Sequence, residues 1–439
     1  MEKASSRSYI TTNNRKFVKM KKTICFFAAA AMFLAGCASP ETPEARQPLT
    51  DENVQNAAVF AQALAVINKN YVDPQKVSEK QLFNAAINGM ASSLDPYSGY
   101  EAPENFSNQQ EKRIGELCGI GITMVKPQGK YLYVLNVLPD SPAEKAKLPI
   151  GSNIISVDGK DLKNLNLRQC RKLLTGPAGS KVKLLFLHAG KRFQKTLIRK
   201  KIIMPTVSAA KMLNSGIGFI KIDNFTPHTP EEFSRAMARL KQAGMRKLII
   251  DLRNNTGGHV NATIKTLSQL LEPGKVILTA HRRDHSKTET LYSKKYKLIQ
   301  PDTRTPLILL VNNLTASSAE IFSGALQDHA RAELAGTRTF GKGTLLHVVK
   351  LLNGGALRIA TGRYRTPSGK VIEGTGIEPD HRITLPALTV QQLIRQSRRH
   401  PGVVKPAEKN AVEDKQLKFA IERLCQFSNA AENHETGTL

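Results

Sequence analysis

Residues 216–385 constrain the fold most, because short apolar runs alternate there with amphipathic runs of helical period. The runs at 217–222, 247–251 and 306–311 are typical of buried strands, and those at 230–243 and 317–329 are typical of helices. Strands that alternate with helices usually form a partly parallel sheet. The sequence therefore predicts a multidomain α/β protein with its α/β core in this region.

Two other kinds of pattern precede this core. Residues 51–91 have helical spacing broken at Asp73-Pro74, which predicts two helices, and residues 117–201 have short β-branched runs with a helix near 167–174. The predicted segments are 1–36 (extension and signal peptide), 37–50 (linker), 51–105 (N-terminal helical region), 106–200 (β-rich domain), 201–385 (α/β core) and 386–439 (basic tail).

The N-terminus has the features of an export signal. Basic residues precede an apolar run at 24–34, which is shorter than the roughly 20 residues that span a bilayer. The following Leu-Ala-Gly-Cys at 34–37 resembles a bacterial lipobox, which implies cleavage before Cys37 and lipidation of its sulfur. An ordinary secretory signal is the alternative. Both interpretations predict a protein that leaves the cytosol, and the lipobox predicts a lipoprotein of the cell envelope, anchored in the membrane and facing the periplasm or the exterior.

Composition excludes several function classes. The net charge of +28 comes from Lys and Arg scattered along the chain, which argues against a nucleic-acid partner and favours anionic surfaces of the cell envelope. Five cysteines without a C-x-x-C pair, and no H-E-x-x-H helix, predict neither a metal site nor a redox cofactor. Cys118 and Cys170 could pair in an oxidising compartment, but we expect them to pack as free thiols.

Several motifs in one order resemble the C-terminal processing peptidases, a family of serine proteases with a PDZ domain. The matching segments are 94–98, 119–122, 141–143, 251–258, 315–321, 339–344 and 374–380. The resemblance covers roughly residues 55–385, and a set of ordered motifs is far more specific than any one of them. It implies that the β-rich domain is a PDZ domain and that the α/β core is a serine protease needing no cofactor.

The resemblance assigns the catalytic pair to Ser317 and Lys342. Ser317 would attack a peptide carbonyl, and Lys342 would take its proton, which requires burial to lower the pKa of the amine. The local sequence allows plainer interpretations. Ser317 with Glu320 also fits a capping box at a helix start, and Lys342 between two glycines also fits a solvated loop lysine.

Backbone amides complete the implied site. Gly257 and Gly258 follow a predicted strand and offer unhindered amides that could face an oxyanion together with the amide of Ser318. A plain turn is the alternative for the two glycines.

A second amide loop is implied in the PDZ domain. Gly119, Ile120, Gly121 and Ile122 would receive the free C-terminus of a substrate while its chain adds as a β-strand. A β-sandwich fragment that binds no ligand is the alternative. The expected partners are proteins or peptides with free, apolar C-termini.

One residue departs from the family pattern. The family carries a polar residue, usually Gln, four positions after its lysine, where it orients the amine; this chain has Leu346. The adjacent His347 could substitute only if a β-bulge changed the side that it faces.

These residues predict a Ser/Lys endopeptidase that acts on exported proteins. Because of Leu346, a weak or inactive PDZ adaptor on the same fold is the alternative. A P-loop nucleotide hydrolase is a third hypothesis, since Gly336 and Gly341-Lys342 fit G-x-x-x-x-G-K. Gly343 in place of Ser or Thr, and a predicted strand directly after it, count against that hypothesis.

Overall fold

The computed structural model describes residues 50–106, 114–127, 129–283, 288–296, 301–399 and 412–435. The predicted signal peptide, Cys37 and almost all of the linker lie outside these residues. The chain divides into two compact units, Met1–Leu82 and Phe83–Leu439. Among the described helices, none combines the length and the apolar character that crossing a membrane requires.

The described helices and strands are numbered in chain order. The helices are α1 Asp51–Asn70, α2 Glu79–Ser92, α3 Pro142–Lys145, α4 Leu167–Leu174, α5 Thr229–Gln242, α6 Val260–Leu267, α7 Ser318–Asp328, α8 Ala387–Arg399 and α9 Lys415–Glu435. The strands up to Met212 are β1 Gly99–Glu101, β2 Glu116–Gly119, β3 Ile122–Val125, β4 Leu132–Val137, β5 Asn153–Val157, β6 Lys160–Asp161, β7 Lys181–His188, β8 Lys191–Ile198, β9 Lys200–Ile203 and β10 Val207–Met212. The later strands are β11 Ile217–Ile222, β12 Lys247–Asp251, β13 Val276–Arg282, β14 Thr288–Tyr292, β15 Leu307–Val311, β16 Glu333–Gly336, β17 Thr344–Lys350, β18 Ala356–Arg365 and β19 His381–Arg382.

The N-terminal unit is helical where it is described. Helix α1 begins after Thr50, whose hydroxyl accepts the Asn53 amide at 3.2 Å and so caps the helix. A 3₁₀ turn at Pro74–Lys76 separates α1 from α2. The predicted break at Asp73-Pro74 is therefore confirmed, because proline ends the preceding segment and starts the turn.

The β module, residues 116–203, contains an antiparallel sheet in the order β3-β4-β5-β7-β8, with β6 on β5, and a separate β2-β9 pair. Alternate residues of its strands point into one core, which also takes Cys170 and Leu174 from helix α4. Cys118 and Cys170 are free thiols in this structure. The module has the β-rich content and the single longer helix that the sequence predicts.

The α/β core contains a six-stranded sheet in the order β10-β11-β12-β15-β16-β19. Only the β10-β11 pair is antiparallel, and the four other pairs are parallel. A second, antiparallel sheet joins β1, β18, β13, β14 and β17. The predicted α/β core with a partly parallel sheet is therefore confirmed.

Both faces of the parallel sheet are covered. On β12, Leu248 and Ile250 point to the side of α5, α6 and α7, whereas Ile249 points to the opposite side, as the two-residue period of a strand requires. Ala420 and Leu424 of helix α9 cover that opposite side. The core therefore includes α9, beyond the boundary at residue 385 that the sequence predicted.

An ion pair network holds the carboxyl end of β12 to the start of α9. The buried Asp251 carboxylate accepts two bonds from the Arg253 guanidinium at 2.9 and 3.0 Å, and the same guanidinium pairs with Asp414 at 2.8 Å. Burial acts to raise the pKa of Asp251, but Arg253 and Lys221 outweigh it and hold this pKa at about 2. Asp251 thus stays ionised in the fold.

We expect this network to make stability depend on pH in acid. The folded pKa of Asp251 lies below its unfolded value, so its contribution is present above pH 4 and is lost as pH falls towards 2. The contribution is about 2 kcal/mol at pH 7, of which about 1 kcal/mol is lost by pH 3. Urea unfolding of wild type and Asp251→Asn between pH 7 and pH 3 measures this contribution. A difference in unfolding free energy between the two proteins that does not change with pH would contradict the prediction.

Candidate active site

Three loops converge at one edge of the parallel sheet. They follow β12, β15 and β16, which are neighbours in the sheet, and they carry Gly257 and Gly258, Ser317, and Lys342 respectively. Because parallel strands end on the same side, residues far apart in sequence meet there. The Ala316 amide donates to the Asn255 carbonyl at 2.9 Å, which ties the first two loops together.

Ser317 lies in a sharp turn between β15 and α7. Its backbone has φ 58° and ψ −123°, a left-handed conformation that non-glycine residues adopt rarely and that costs on the order of 1–3 kcal/mol. The buried Thr315 hydroxyl supports the turn by donating to the Leu252 carbonyl at 2.9 Å. The half-buried Ser317 therefore stands at the start of a helix on strained backbone, an arrangement that is common at functional sites.

The Glu320 carboxylate joins the serine loop to the lysine loop. One oxygen accepts the amides of Ser317 and Lys342, both at 2.8 Å, and the other accepts the Thr339 hydroxyl and the Gly341 amide, both at 2.6 Å. Burial raises the pKa of this carboxyl, and the four donors oppose the rise. Glu320 thus forms the predicted bond to the helix start, but it also holds the lysine loop against that start.

Lys342 is half-buried beside two aromatic residues. Its amine lies over the ring of Tyr97, 4.7 Å from the ring centroid, and its carbonyl accepts the hydroxyl of Tyr364. Burial raises the pKa of Tyr364 well above its usual value. Tyr364 thus holds the backbone of Lys342 through its carbonyl, whereas Glu320 holds it through its amide.

The glycines beside Lys342 are required by close packing. A Cβ at Gly343 would lie 2.7 Å from the Glu373 amide nitrogen, and one at Gly341, where φ is +91°, would lie 3.0 Å from the Gly376 amide nitrogen. Backbone therefore packs directly around the lysine loop.

The two glycines of the β12 loop differ in their amides. The Gly257 amide donates to the buried Asn255 side chain at 2.8 Å, so this amide already has an acceptor inside the fold, which counts against the oxyanion role predicted for Gly257. A Cβ on Gly257 would lie 2.8 Å from the Ser317 Cβ, and one on Gly258 would lie 2.0 Å from the Phe225 carbonyl oxygen. Glycine at 257 thus allows the loop to approach the serine closely, and glycine at 258 allows it to approach the Phe225 backbone.

Leu346 lies on β17, at a register shift in the β17-β18 pair. The extra residue of this bulge is Thr361 on β18, whereas β17 continues without interruption, and His347 is exposed. The bulge is thus on the partner strand β18, and it does not turn His347 to the other face of β17. Because residues 344–350 form a strand, the P-loop hypothesis, which needs a helix at this point, is wrong.

The predicted amide loop of the β module precedes the edge strand β3. Ile120 is buried, and its carbonyl accepts the Ala143 amide at 2.8 Å, while Gly121 has φ +79°. In the described part of the chain, one edge of β3 faces no other strand, and the helix α4 packs on the same core as β3. A loop followed by an open edge can accept a peptide strand.

Four residues of this site were not assigned to it from the sequence: Glu320, Tyr364, Tyr97 and Glu373. Glu320 was interpreted only as the glutamate of a capping box, and Tyr97 only as part of a segment before the β module. The glutamate at the third position of the helix was a usable signal for contact with Ser317. No local signal connects Tyr97 or Tyr364 with Lys342.

No group of three or more potential metal ligands occurs among the residues that the structure describes. The polar groups that are present, a hydroxyl, an amine and backbone amides, are those of nucleophilic acyl transfer.

Three family models match the chain in consecutive segments. Residues 25–104 match the N-terminal domain of the activating protease CtpB, residues 108–187 match the PDZ domain, and residues 216–383 match peptidase family S41. The β module thus corresponds to a PDZ domain, and the α/β core with its Ser317 and Lys342 loops corresponds to the peptidase.

Curated relatives match over most of the chain. A carboxyl-terminal-processing protease of Synechocystis is 30% identical over 398 residues, which cover 85% of this chain and 91% of the relative. One from Bartonella bacilliformis is 33% identical, covering 76% of this chain and 77% of the relative. The solved photosystem II D1 C-terminal processing protease is 28% identical, with a TM-score of 0.42, covering 74% of this chain and 92% of that one. The chain belongs to the carboxyl-terminal processing proteases of peptidase family S41.

Proposed function

We propose that the chain is a serine endopeptidase in which Ser317 and Lys342 form a catalytic dyad. The observation that carries the proposal is the single Glu320 oxygen that accepts the amides of both residues at 2.8 Å. This contact holds the backbone of nucleophile and base together in a chain of the carboxyl-terminal processing family. The strained turn at Ser317 presents the hydroxyl at the edge of the sheet.

The proposed reaction follows from these positions. The Lys342 amine takes the proton of the Ser317 hydroxyl as its oxygen adds to the peptide carbonyl. The amides of Gly258 and Ser318 stabilise the resulting oxyanion. The lysine then gives the proton to the leaving amine, which departs and leaves an acyl-serine. Water, deprotonated by the neutral lysine, then attacks the acyl group; the bond to the Ser317 oxygen breaks, and the lysine returns its proton to that oxygen, which regenerates both residues.

Substrate delivery is proposed to use the PDZ domain. The C-terminal carboxylate of the substrate would bind the loop Gly119–Ile122. The last residues of the substrate, which we expect to be apolar, would add as a strand to the open edge of β3. The lipobox at 34–37 supports export and a lipid anchor at Cys37, with the active site facing the periplasm or the exterior. The substrates are then exported proteins with free C-termini.

The experiment compares two peptides that differ only at the C-terminus. We expect the purified full chain to cleave the peptide with a free apolar C-terminus about 10-fold or more faster, in kcat/KM, than its C-terminal amide, because the amide loses a charge-assisted hydrogen bond. Mass spectrometry identifies the products. Gly121→Ala is the matched variant: its Cβ would lie 2.2 Å from the Ser141 Cβ, so it should slow the free peptide to the rate of the amide.

A second candidate is a non-enzymatic PDZ adaptor, favoured by Leu346 in the position of the usual glutamine. It predicts binding of the free peptide without cleavage. It also predicts no adduct of a serine-directed phosphonate on the Ser317 peptide. Cleavage of the two peptides at equal rates would instead contradict recognition of the substrate's C-terminus by the PDZ domain. The proposal that the chain is a peptidase would still stand.

A further inference from the structure

The Lys342 amine has an aromatic neighbour that the sequence did not assign to the site. The amine nitrogen lies 4.7 Å from the centroid of the Tyr97 ring, within the distance at which a cation is attracted to an aromatic face. Tyr97 is half-buried and belongs to the segment before the PDZ domain, whereas Lys342 belongs to the peptidase. This contact therefore joins two segments that are far apart in the sequence.

Tyr97 is held in place by its own turn. The Asp95 carboxylate accepts the amides of Tyr97 and Ser98, both at 2.7 Å, and the Ser98 hydroxyl at 2.6 Å. The Arg358 side chain donates to the Tyr97 carbonyl at 3.0 Å, and the following strand β1 pairs with β18. The backbone of Tyr97 is thus fixed to the second sheet of the peptidase by contacts that do not involve Lys342.

Glu373 connects the ring to the lysine loop. Its carboxylate accepts hydrogen bonds from the Gly343 amide at 2.9 Å and from the Thr344 hydroxyl at 2.5 Å. Gly343 and Thr344 are the two residues that follow Lys342. Burial, followed by the negative charge of Glu373, raises the pKa of the Tyr97 phenol. The phenol therefore keeps its proton, and the Glu373 charge near the ring favours a cation on its face.

We propose that Tyr97, together with Glu373 on the lysine loop, positions the Lys342 amine for proton transfer and stabilises the ammonium that forms when Ser317 is deprotonated. The inference rests on the proposed dyad and extends it. Tyr97 and Glu373 are positioning residues here, since they act on Lys342 and not on the substrate. They supply the orientation that Leu346 cannot.

The physical reason lies in the two states of the lysine. In the neutral state the ring lies against the amine and restricts the directions in which it can point. After proton transfer the negative face of the ring attracts the ammonium. The ring thus serves both states without giving or taking a proton, and Glu373 strengthens its attraction for the cation.

The test is a series at Tyr97 with a matched control. Tyr97→Leu removes the ring and is expected to lower kcat about 30-fold with little change in KM, whereas Tyr97→Phe keeps the ring and is expected to lose about 3-fold. Glu373→Gln should fall between them. Tyr100→Leu, which removes a ring from the same segment at β1, controls for damage to the strand and should keep kcat within about 2-fold.

A second measurement needs no turnover. Acetic anhydride labels neutral amines, and mass spectrometry follows the rate of acetylation at Lys342. We expect Tyr97→Leu to label several-fold faster than wild type, Tyr97→Phe and Tyr100→Leu, because the ring no longer covers the amine. Thermal unfolding of each variant confirms that it is folded.

The outcomes separate the two proposals. Faster labelling with a selective loss of kcat supports the inference. Unchanged labelling in a folded Tyr97→Leu, or faster labelling with unchanged kcat in an active enzyme, overturns it. If wild type cleaves no peptide, labelling still decides whether Tyr97 positions Lys342, and the missing turnover counts against the peptidase alone.

Discussion

Replacing Ser317 with alanine is expected to lower kcat at least about 10⁴-fold, and replacing Lys342 with alanine is expected to lower it about 10²- to 10⁴-fold. The hydroxyl forms the acyl bond, so nothing replaces it. Without the amine, the hydroxyl keeps its proton and is a poor nucleophile. Since the two residues act as one unit, the double variant should be no slower than Ser317→Ala.

The measurement is the rate of peptide cleavage, with folding checked by thermal unfolding. Ser323→Ala, in the same helix, and Lys350→Ala, exposed at the end of β17, are the matched controls and should retain activity. A Lys342→Ala variant that kept more than a tenth of the wild-type rate would show that another group takes the proton. Ser317→Ala and wild type with the same background rate would favour the adaptor.

Replacing Glu320 with glutamine should damage both stability and activity. The carboxylate accepts four hydrogen bonds, two on each oxygen. A glutamine has one oxygen, so its NH₂ group would face two donors, and these would be buried without an acceptor. We expect the free energy of unfolding to fall by about 2–4 kcal/mol. We also expect kcat to fall about 100-fold, because the Ser317 and Lys342 loops would no longer share one acceptor.

Urea unfolding and peptide cleavage test the two effects separately. Ser323→Ala is the control, because it removes one buried hydrogen bond, from its hydroxyl to the Ala319 carbonyl at 2.8 Å, in the same helix. It should lose about 1 kcal/mol of stability and keep its kcat. Glu320→Gln with wild-type kcat would mean that the shared carboxylate does not set the geometry of the dyad.

Much of the fold is readable because it depends on local spacing. The strands at 217–222 and 247–251 and the helix at 167–174 agree with the structure residue for residue, since each carries the period of its element in its own side chains. The family followed from motifs, each of which is a short run of neighbouring residues in the chain. The packing of helix α9 was harder to predict, because the role of its apolar Ala420 and Leu424 becomes clear only when the sheet that they cover is known.

The sequence by itself determined the class of fold, the family and the identity of the proposed catalytic pair. Only the tertiary structure decided how that pair is held. The hydrogen bonds of Glu320 to the amides of Ser317 and Lys342 are known only from the structure, and so is the contact of the Tyr97 ring with the lysine amine. The Gly257 amide likewise had to be seen bonded to Asn255. The reason is physical: periodicity and motifs are properties of neighbours in the chain, whereas each of these roles is a contact made after distant segments have packed together.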